Sequence, residues 1–193
     1  AEWFSLERSA RLRSVPHLMN YSWTATFRNL FDRCATAYRG GNRAHDTWYT
    51  ATDISFLDSI GCKPRELFDF VEDHCTSDGE EPDYETALLV TAARRDYFLV
   101  VQKGVPSTHV VTPDQLPAKT AAIEGFVWLP RILAKARAKL RGEMDPDTMY
   151  GCGGDRHFLS THDIHPADFL RTVWAAGEDD RKVIDYVKRG GRH

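Results

Sequence analysis

The chain has 193 residues, of which 42% are hydrophobic and 27% charged, and this balance excludes disordered, collagen-like and coiled-coil classes. Its formal net charge of −3 disfavours a nucleic-acid binder, because phosphate contacts usually require a basic surface. Its length allows one ordinary domain or two small ones.

The N-terminus and the cysteines indicate the compartment. The chain begins Ala1-Glu2-Trp3 without the basic and apolar stretches of a signal peptide. No apolar run reaches the ~18 residues that a membrane-spanning helix requires. The cysteines show no CxxC spacing, which favours free thiols; they are Cys34, Cys62, Cys75 and Cys152. We therefore expect a cytoplasmic, bacterial-type protein with no membrane or nucleic-acid partner.

The first predicted element is an amphipathic helix that begins near residue 24 and ends at Gly40, where a helix C-terminus favours glycine. Its apolar positions recur at the helical period; they are Phe27, Leu30, Phe31, Cys34, Ala35 and Tyr38. A short helix is predicted near Asp53. A third helix is predicted to start at Pro64, because proline suits the first helical position, and a fourth contains Tyr84.

The middle of the chain differs in composition. Residues 97–101 and 108–111 are rich in β-branched and aromatic side chains and flank Lys103-Gly104-Val105-Pro106, which predicts a β-hairpin. Residues 112–119 have the composition of a linker.

The rest of the chain repeats the first pattern at an offset of 102 residues, and residues 39–84 align with 141–186 without a gap. Identical pairs fall on glycines, prolines and helix starts. They include Gly40/Gly142, Asp53/Asp155, Phe56/Phe158, Leu57/Leu159, Pro64/Pro166, Val71/Val173 and Tyr84/Tyr186. Trp48 pairs with Tyr150 in this alignment.

The sequence therefore predicts a mostly α fold built by tandem duplication of a small helical unit of about four helices. We expect one compact domain over 1–193, with repeats 24–96 and 126–190 and an insertion at 97–125 that carries the β-hairpin. Because neither copy buries its apolar face alone, a pseudo-twofold pair is expected, with a ligand cleft between the copies.

The second copy resembles a known family. A Trp128-Leu129-Pro130-Arg131 helix start and a Lys- and Ala-rich helix precede Tyr150-Gly151-Cys152-Gly153-Gly154-Asp155-Arg156-His157-Phe158-Leu159. This pattern is similar to the bacterial domain-of-unknown-function family 5069, in which Pro-Leu occupies the place of Gly153-Gly154. The resemblance covers roughly residues 115–188, and through the repeat it extends more loosely to the first copy. It implies a mostly helical module and singles out Cys152 and Asp155, but it implies no activity.

Two equivalent carboxylates are candidate catalytic groups. Asp53 and Asp155 each precede a Phe-Leu pair at a predicted helix start, where an N-cap worth ~1 kcal/mol is the ordinary role. If pseudo-symmetry brings them to one cleft, they form an acid–base pair.

Cys152 is the candidate nucleophile. The flanking glycines allow a close approach of the backbone to a ligand, and Arg156 and His157 make an electropositive setting for a thiol. The alternative is a small buried residue in a tight turn.

The second copy also contains a histidine cluster, His157, His162 and His165. Metal ligation requires convergent donors, and exposed loop residues are the alternative. His157 is retained as a catalytic candidate.

Arg131, Lys135 and Lys139 recur every four residues, with Arg137 and Arg141 alongside. This spacing places a basic face on the helix, which we interpret as solvated rather than as an anion site.

The candidate substrate-binding residues surround the shared loop. Arg156 would hold an anionic group, and Tyr49, Tyr150 and Trp48 would line the cleft. His17, in a polar and aromatic N-terminal stretch, is a candidate lid residue, and packing at the start of the first helix is the alternative.

Common nucleotide-binding and serine-hydrolase motifs are absent from the sequence. The favoured hypothesis is a cofactor-independent lyase, isomerase or hydrolase that acts on a small polar, anionic molecule by acid–base or thiol chemistry between the repeats. The alternatives are a non-enzymatic ligand-binding or interaction module, and a metal-dependent enzyme that uses the histidines of the second copy.

Overall fold

The structure is a computed structural model that describes residues 20–192. This part of the chain is mostly helical, as predicted, with a small antiparallel hairpin. The helices are α1 (Trp23–Arg39), α2 (Ala51–Ser59), α3 (Pro64–Thr76), α4 (Tyr84–Val100), α5 (Leu129–Arg141), α6 (Gly153–Thr161), α7 (Pro166–Ala176) and α8 (Asp180–Lys188). The strands are β1 (Ala122–Ile123) and β2 (Phe126–Val127). Single 3-10 turns lie at His45–Thr47 and Pro113–Gln115.

The apolar period of α1 produces the expected buried face. Phe27, Leu30, Phe31 and Cys34 are all buried on the side that packs against α3. In the same way α5 packs against α7. One continuous apolar core contains buried residues from Phe27 in α1 to Val187 in α8.

Several helix bounds recur at the predicted offset of 102 residues. The bounds of α6 are those of α2 shifted by 102, α7 begins 102 residues after α3, and α5 ends 102 residues after α1. The fourth helices do not correspond, because α8 begins at Asp180 whereas α4 begins at Tyr84. We refer to residues 24–96 as the N-terminal segment and to 126–190 as the C-terminal segment.

Helix α4 connects the two segments. It packs against α5 and α7, both of which belong to the C-terminal segment. Its Arg94 is almost fully buried, and its Nη1 donates hydrogen bonds to the carbonyl oxygen of Leu140 at 2.8 Å and to Oε1 of Gln102 at 2.7 Å.

The predicted location of the β-hairpin is wrong. Residues 97–100 belong to α4, because their aromatic and β-branched side chains continue a helix whose Phe98 is buried. The observed hairpin pairs Ala122 with Val127 and Ile123 with Phe126, around the two-residue turn Glu124-Gly125. Both turn residues have positive φ, as tight two-residue hairpins require.

Within residues 20–192, no helix has both the length and the apolar character needed to cross a membrane.

Candidate functional site

A buried ion pair lies at the centre of the C-terminal segment. The Lys135 ammonium group, on α5, contacts Oδ2 of Asp155, on α6, and the two side chains are only 3% and 0% exposed. The backbone N–H of Gly151 donates to the same carboxylate oxygen at 2.9 Å. Asp155 is therefore held by several donors inside the protein.

The second oxygen of Asp155 fixes an indole ring. Trp128 Nε1 donates to Oδ1 of Asp155 at 2.8 Å. Trp128 has a φ of +78°, an uncommon conformation for a bulky residue. Gly154 makes room for the ring, since a Cβ at this position would lie 2.5 Å from Cζ2 of Trp128.

Cys152 lies next to the same ion pair. Lys135 Nζ donates a hydrogen bond to Sγ of Cys152 at 3.2 Å, and Cys152 is only partly buried. A neighbouring ammonium group stabilises a thiolate, the reactive form of cysteine.

Cys152 is also the N-cap residue of α6, but its side chain makes no capping hydrogen bond. Gly153 opens the helix, and a Cβ there would meet no heavy atom within 4 Å apart from its two chain neighbours and the nearby backbone of the helix. An uncapped helix N-terminus presents free N–H groups and a positive dipole end, which favour negative charge.

In the N-terminal segment, Thr50 stands 102 residues before Cys152. Thr50 caps α2 by accepting a hydrogen bond from the Asp53 N–H at 3.2 Å, and its own N–H donates to Asp53 Oδ2 at 2.7 Å. Arg33, which corresponds to Lys135 at the offset of 102, contacts Oδ1 of Asp53 at 2.7 Å. Partial burial acts to raise the pKa of Asp53, but the hydrogen bonds from Arg33 and Thr50 together outweigh it, so the pKa is lowered.

The two aspartates thus have separate partners. Asp53 completes the cap of α2 and pairs with a half-exposed arginine, whereas Asp155 is enclosed with Lys135 and Trp128. A shared acid–base cleft containing both carboxylates stays a prediction.

Tyr49 and Tyr150, two of the predicted substrate-binding residues, make hydrogen bonds within the fold. The hydroxyl groups of Tyr49 and Tyr150 each donate at 2.8 Å to a proline carbonyl, that of Pro64 and that of Pro166 respectively. Burial raises the pKa of both tyrosines. Tyr150 therefore corresponds in its hydrogen bonding to Tyr49, and not to Trp48 as in the ungapped alignment.

Trp48 belongs to the core and packs against the rings of Tyr38 and Phe68. His17 lies outside the described residues.

Arg156 connects the C-terminal segment to the N-terminal one. Its Nη1 contacts Oδ2 of Asp73 at 2.8 Å and the carbonyl oxygen of Gly151 at 2.6 Å, and its Nε lies 3.6 Å from Glu81. It borders a groove of about 490 Å³ between the two segments, which carboxylates such as Glu80 and Asp163 also line.

The three histidines of the C-terminal segment have different surroundings. His162 Nδ1 lies 2.8 Å from the carbonyl oxygen of Phe158, and His165 accepts a hydrogen bond from the Ala167 N–H at 3.1 Å. His157 is exposed and lines a groove of about 380 Å³ together with Trp128 and Phe158. Over residues 20–192, no three His, Cys, Asp or Glu side chains converge as metal ligands.

The interpretation of the basic α5 face as solvated is wrong for Lys135 and Lys139, which are 2% and 3% exposed. Each is paired with a buried carboxylate; Lys139 Nζ lies 3.0 Å from Oε2 of Glu66. Near this second pair, burial raises the pKa of Asp69 to about 7. Arg137 and Arg141 instead contact Asp180 and Glu178 nearer the surface.

The other cysteines lack the environment of Cys152. Burial raises the pKa of the Cys34 and Cys62 thiols to about 12, and it also raises the pKa of Cys75. Raised thiol pKa values leave little thiolate at neutral pH, so these three groups are poor nucleophiles.

Cys152 and Asp155 were predicted from the sequence as site residues, but their partners Lys135 and Trp128 were missed. One signal was present: a cation stands at position 33 and at position 135, and an aspartate at 53 and at 155. A pair of opposite charges that recurs at the same offset predicts that the two side chains contact each other. The apolar periodicity of a single helix does not show which residues of other helices face it.

Comparison with curated proteins and with solved structures finds no match. The model of one family matches residues 115–193, which contain Trp128, Lys135, Cys152 and Asp155, and confirms the resemblance over the C-terminal part of the chain. That family is Domain of unknown function (DUF5069).

Proposed function

We propose that the chain is a cofactor-independent enzyme that attacks a small, anionic, electrophilic molecule with the Cys152 thiol. The observation that carries this proposal is the 3.2 Å contact between Lys135 Nζ and Cys152 Sγ, with Asp155 behind the lysine. The lysine supplies the positive charge that a thiolate requires, and Asp155 holds the lysine in place.

The N-terminus of α6 supplies the second requirement, a place for negative charge. When the thiolate adds to a carbonyl-type carbon, an S–C bond forms and an electron pair moves onto the oxygen. The free N–H groups that follow Cys152 are suited to stabilise that oxyanion. The same groups favour a substrate that carries a carboxylate or a phosphate.

The proposed site lies within the C-terminal segment and borders the N-terminal one. A Cβ at Gly151 would lie 3.8 Å from the Phe70 ring of α3, and Arg156 contacts Asp73 of the same helix. The N-terminal segment therefore supports the loop that carries the thiol. In the N-terminal segment itself, Thr50 and its cap occupy the equivalent place.

The test is a thermal-shift screen of small anionic carbonyl compounds, followed by assays of their conversion. A bound ligand raises the apparent stability of the native state. We expect Cys152→Ser to keep the shift and to lose conversion, and Cys75→Ser, a control at another partly buried thiol, to keep both. Full conversion by Cys152→Ser would refute the proposal.

A second candidate function is ligand binding without catalysis, which the groove beside Trp128 favours. The fixed indole, Phe158 and Val127 give this groove a largely apolar wall, and Val127 is 55% exposed. Ligand pockets are commonly apolar with a few polar groups. On this hypothesis Val127→Lys abolishes the thermal shift given by a planar aromatic acid. Val105→Lys, at an exposed valine elsewhere, leaves that shift unchanged.

A further inference from the structure

The contact between Lys135 and Cys152 has a chemical consequence that is separate from catalysis. An amine nitrogen 3.2 Å from a thiol sulfur is close enough to capture an oxidised form of that sulfur. Sulfenic acids, the first product of thiol oxidation by peroxide, condense with a nearby nitrogen to form a sulfenamide.

We propose that Lys135 and Cys152 form a reversible sulfenamide crosslink when the protein meets a peroxide. The inference uses the thiol of the proposed function, but its readout is a covalent mass. Its failure can therefore be distinguished from a failure of the catalytic proposal.

The first step oxidises the sulfur. The thiolate attacks one oxygen of hydrogen peroxide, the O–O bond breaks, and with one proton the products are a sulfenic acid and water. The sulfur loses two electrons, and the peroxide accepts them. Cys152 is partly exposed, and the space beside Gly153 is open, so a molecule as small as hydrogen peroxide has access.

The second step forms the crosslink. The Lys135 ammonium group gives one proton to Asp155, whose Oδ2 it contacts, and its lone pair then attacks the sulfur. An S–N bond forms and the S–O bond breaks. The departing hydroxide takes a second proton from the nitrogen and leaves as water, and Asp155 retains the first proton.

The surroundings favour capture of the oxidised sulfur by the lysine nitrogen over further oxidation of that sulfur. Lys135 is enclosed, with Asp155 and Cys152 as its neighbours, so its amine is already positioned at the sulfur. Cys34 and Cys62 serve as comparison thiols for the oxidation of Cys152, because they are buried among apolar side chains of the core.

The crosslink also alters the proposed active site. It consumes the thiol and removes the charge of the ammonium group, so the oxidised protein has no nucleophile at Cys152. A thiol reductant reverses the bond by attack on the sulfur. The pair thus constitutes a modification site with a peroxide as its co-reactant.

The experiment treats the full chain with hydrogen peroxide, digests it with trypsin without reduction, and identifies linked peptides by mass spectrometry. Because trypsin does not cleave at a modified lysine, the expected product joins residues 132–137 to residues 142–156. Its mass is the sum of both peptides less two hydrogens. Met144 and Met149 lie in the second peptide and take up oxygen themselves, so fragment ions must assign each oxygen.

Three variants complete the experiment. The linked peptide should disappear in Cys152→Ser and in Lys135→Arg, and it should remain in Lys139→Arg, which changes the other buried lysine of α5. Labelling of Cys152 by a sulfenic-acid trap should rise in Lys135→Arg, because the acid is no longer captured.

The wild-type chain alone decides the matter if a variant does not fold. A linked peptide that loses its bond on treatment with dithiothreitol supports the proposal. A stable sulfenic or sulfinic acid without a linked peptide would overturn it. A linked peptide that retains an additional oxygen between nitrogen and sulfur would also contradict the sulfenamide and indicate an N–O–S bridge.

Discussion

Removal of the Asp155 carboxylate tests the buried pair most severely. In Asp155→Ala the Lys135 ammonium, 3% exposed, loses its counter-charge, and the Trp128 indole N–H loses its acceptor. Breaking a buried ion pair by removing one partner costs about 3–5 kcal/mol. Since a domain of this kind has a free energy of unfolding of roughly 5–15 kcal/mol, this loss is a large fraction of the total.

Asp53→Ala is the matched control. It removes the equivalent carboxylate, but Arg33 is 52% exposed and water replaces the lost contact. The expected cost is about 1 kcal/mol for the cap, with at most ~1 kcal/mol more for the ion pair. The assay is urea unfolding at neutral pH, followed by circular dichroism.

The double replacement Lys135→Met with Asp155→Leu sharpens this prediction. It removes both charges together, so the free energy of unfolding should exceed that of Asp155→Ala. An Asp155→Ala cost no larger than that of Asp53→Ala, or a double replacement less stable than the single one, would refute the assignment of a buried ion pair to Lys135 and Asp155.

Two further predictions concern packing and pH. Gly154→Ala places a methyl group 2.5 Å from the Trp128 ring and should lower the free energy of unfolding by about 1–3 kcal/mol. Gly153→Ala meets open space and should be neutral or slightly stabilising. Denaturant unfolding compares the two variants. Burial raises the pKa of Asp69 to about 7 despite Arg65 and Lys139, so between about pH 4 and 7 the folded state holds a proton that the unfolded state releases. The free energy of unfolding of the wild type therefore falls as pH rises through this window. Asp69→Asn has no carboxyl group to titrate there, so its free energy of unfolding relative to that of the wild type should rise from pH 5 to pH 8. A constant difference between the two proteins over that range would contradict this assignment.

The helices could be predicted because their signals are local. The apolar period of α1 and the prolines that begin α3 and α7 depend only on near neighbours in the sequence, and the structure confirms them. The hairpin was misplaced because residues 97–101 have a strand-like composition. The packing of α4 against α5 and α7, a long-range effect, keeps residues 97–100 helical.

The candidate site was predictable only in part for the same reason. Cys152 and Asp155 stand out in the sequence because glycines and a helix start surround them. The burial of Lys135 and Lys139 depends on Asp155 and Glu66, which lie on other helices. The left-handed conformation of Trp128 has no local signal, since it follows from the contact of its indole with Asp155 and Gly154.

The rate at which each thiol is alkylated by iodoacetamide at neutral pH tests the central claim most directly. The account predicts that Cys152 reacts faster than Cys75, the other partly buried thiol. Lys135→Gln should slow the alkylation of Cys152 several-fold, because it removes the ammonium group that lies 3.2 Å from the sulfur. Equal rates for the two cysteines, or a rate at Cys152 that does not change in Lys135→Gln, would contradict the assignment of Cys152 as an activated nucleophile.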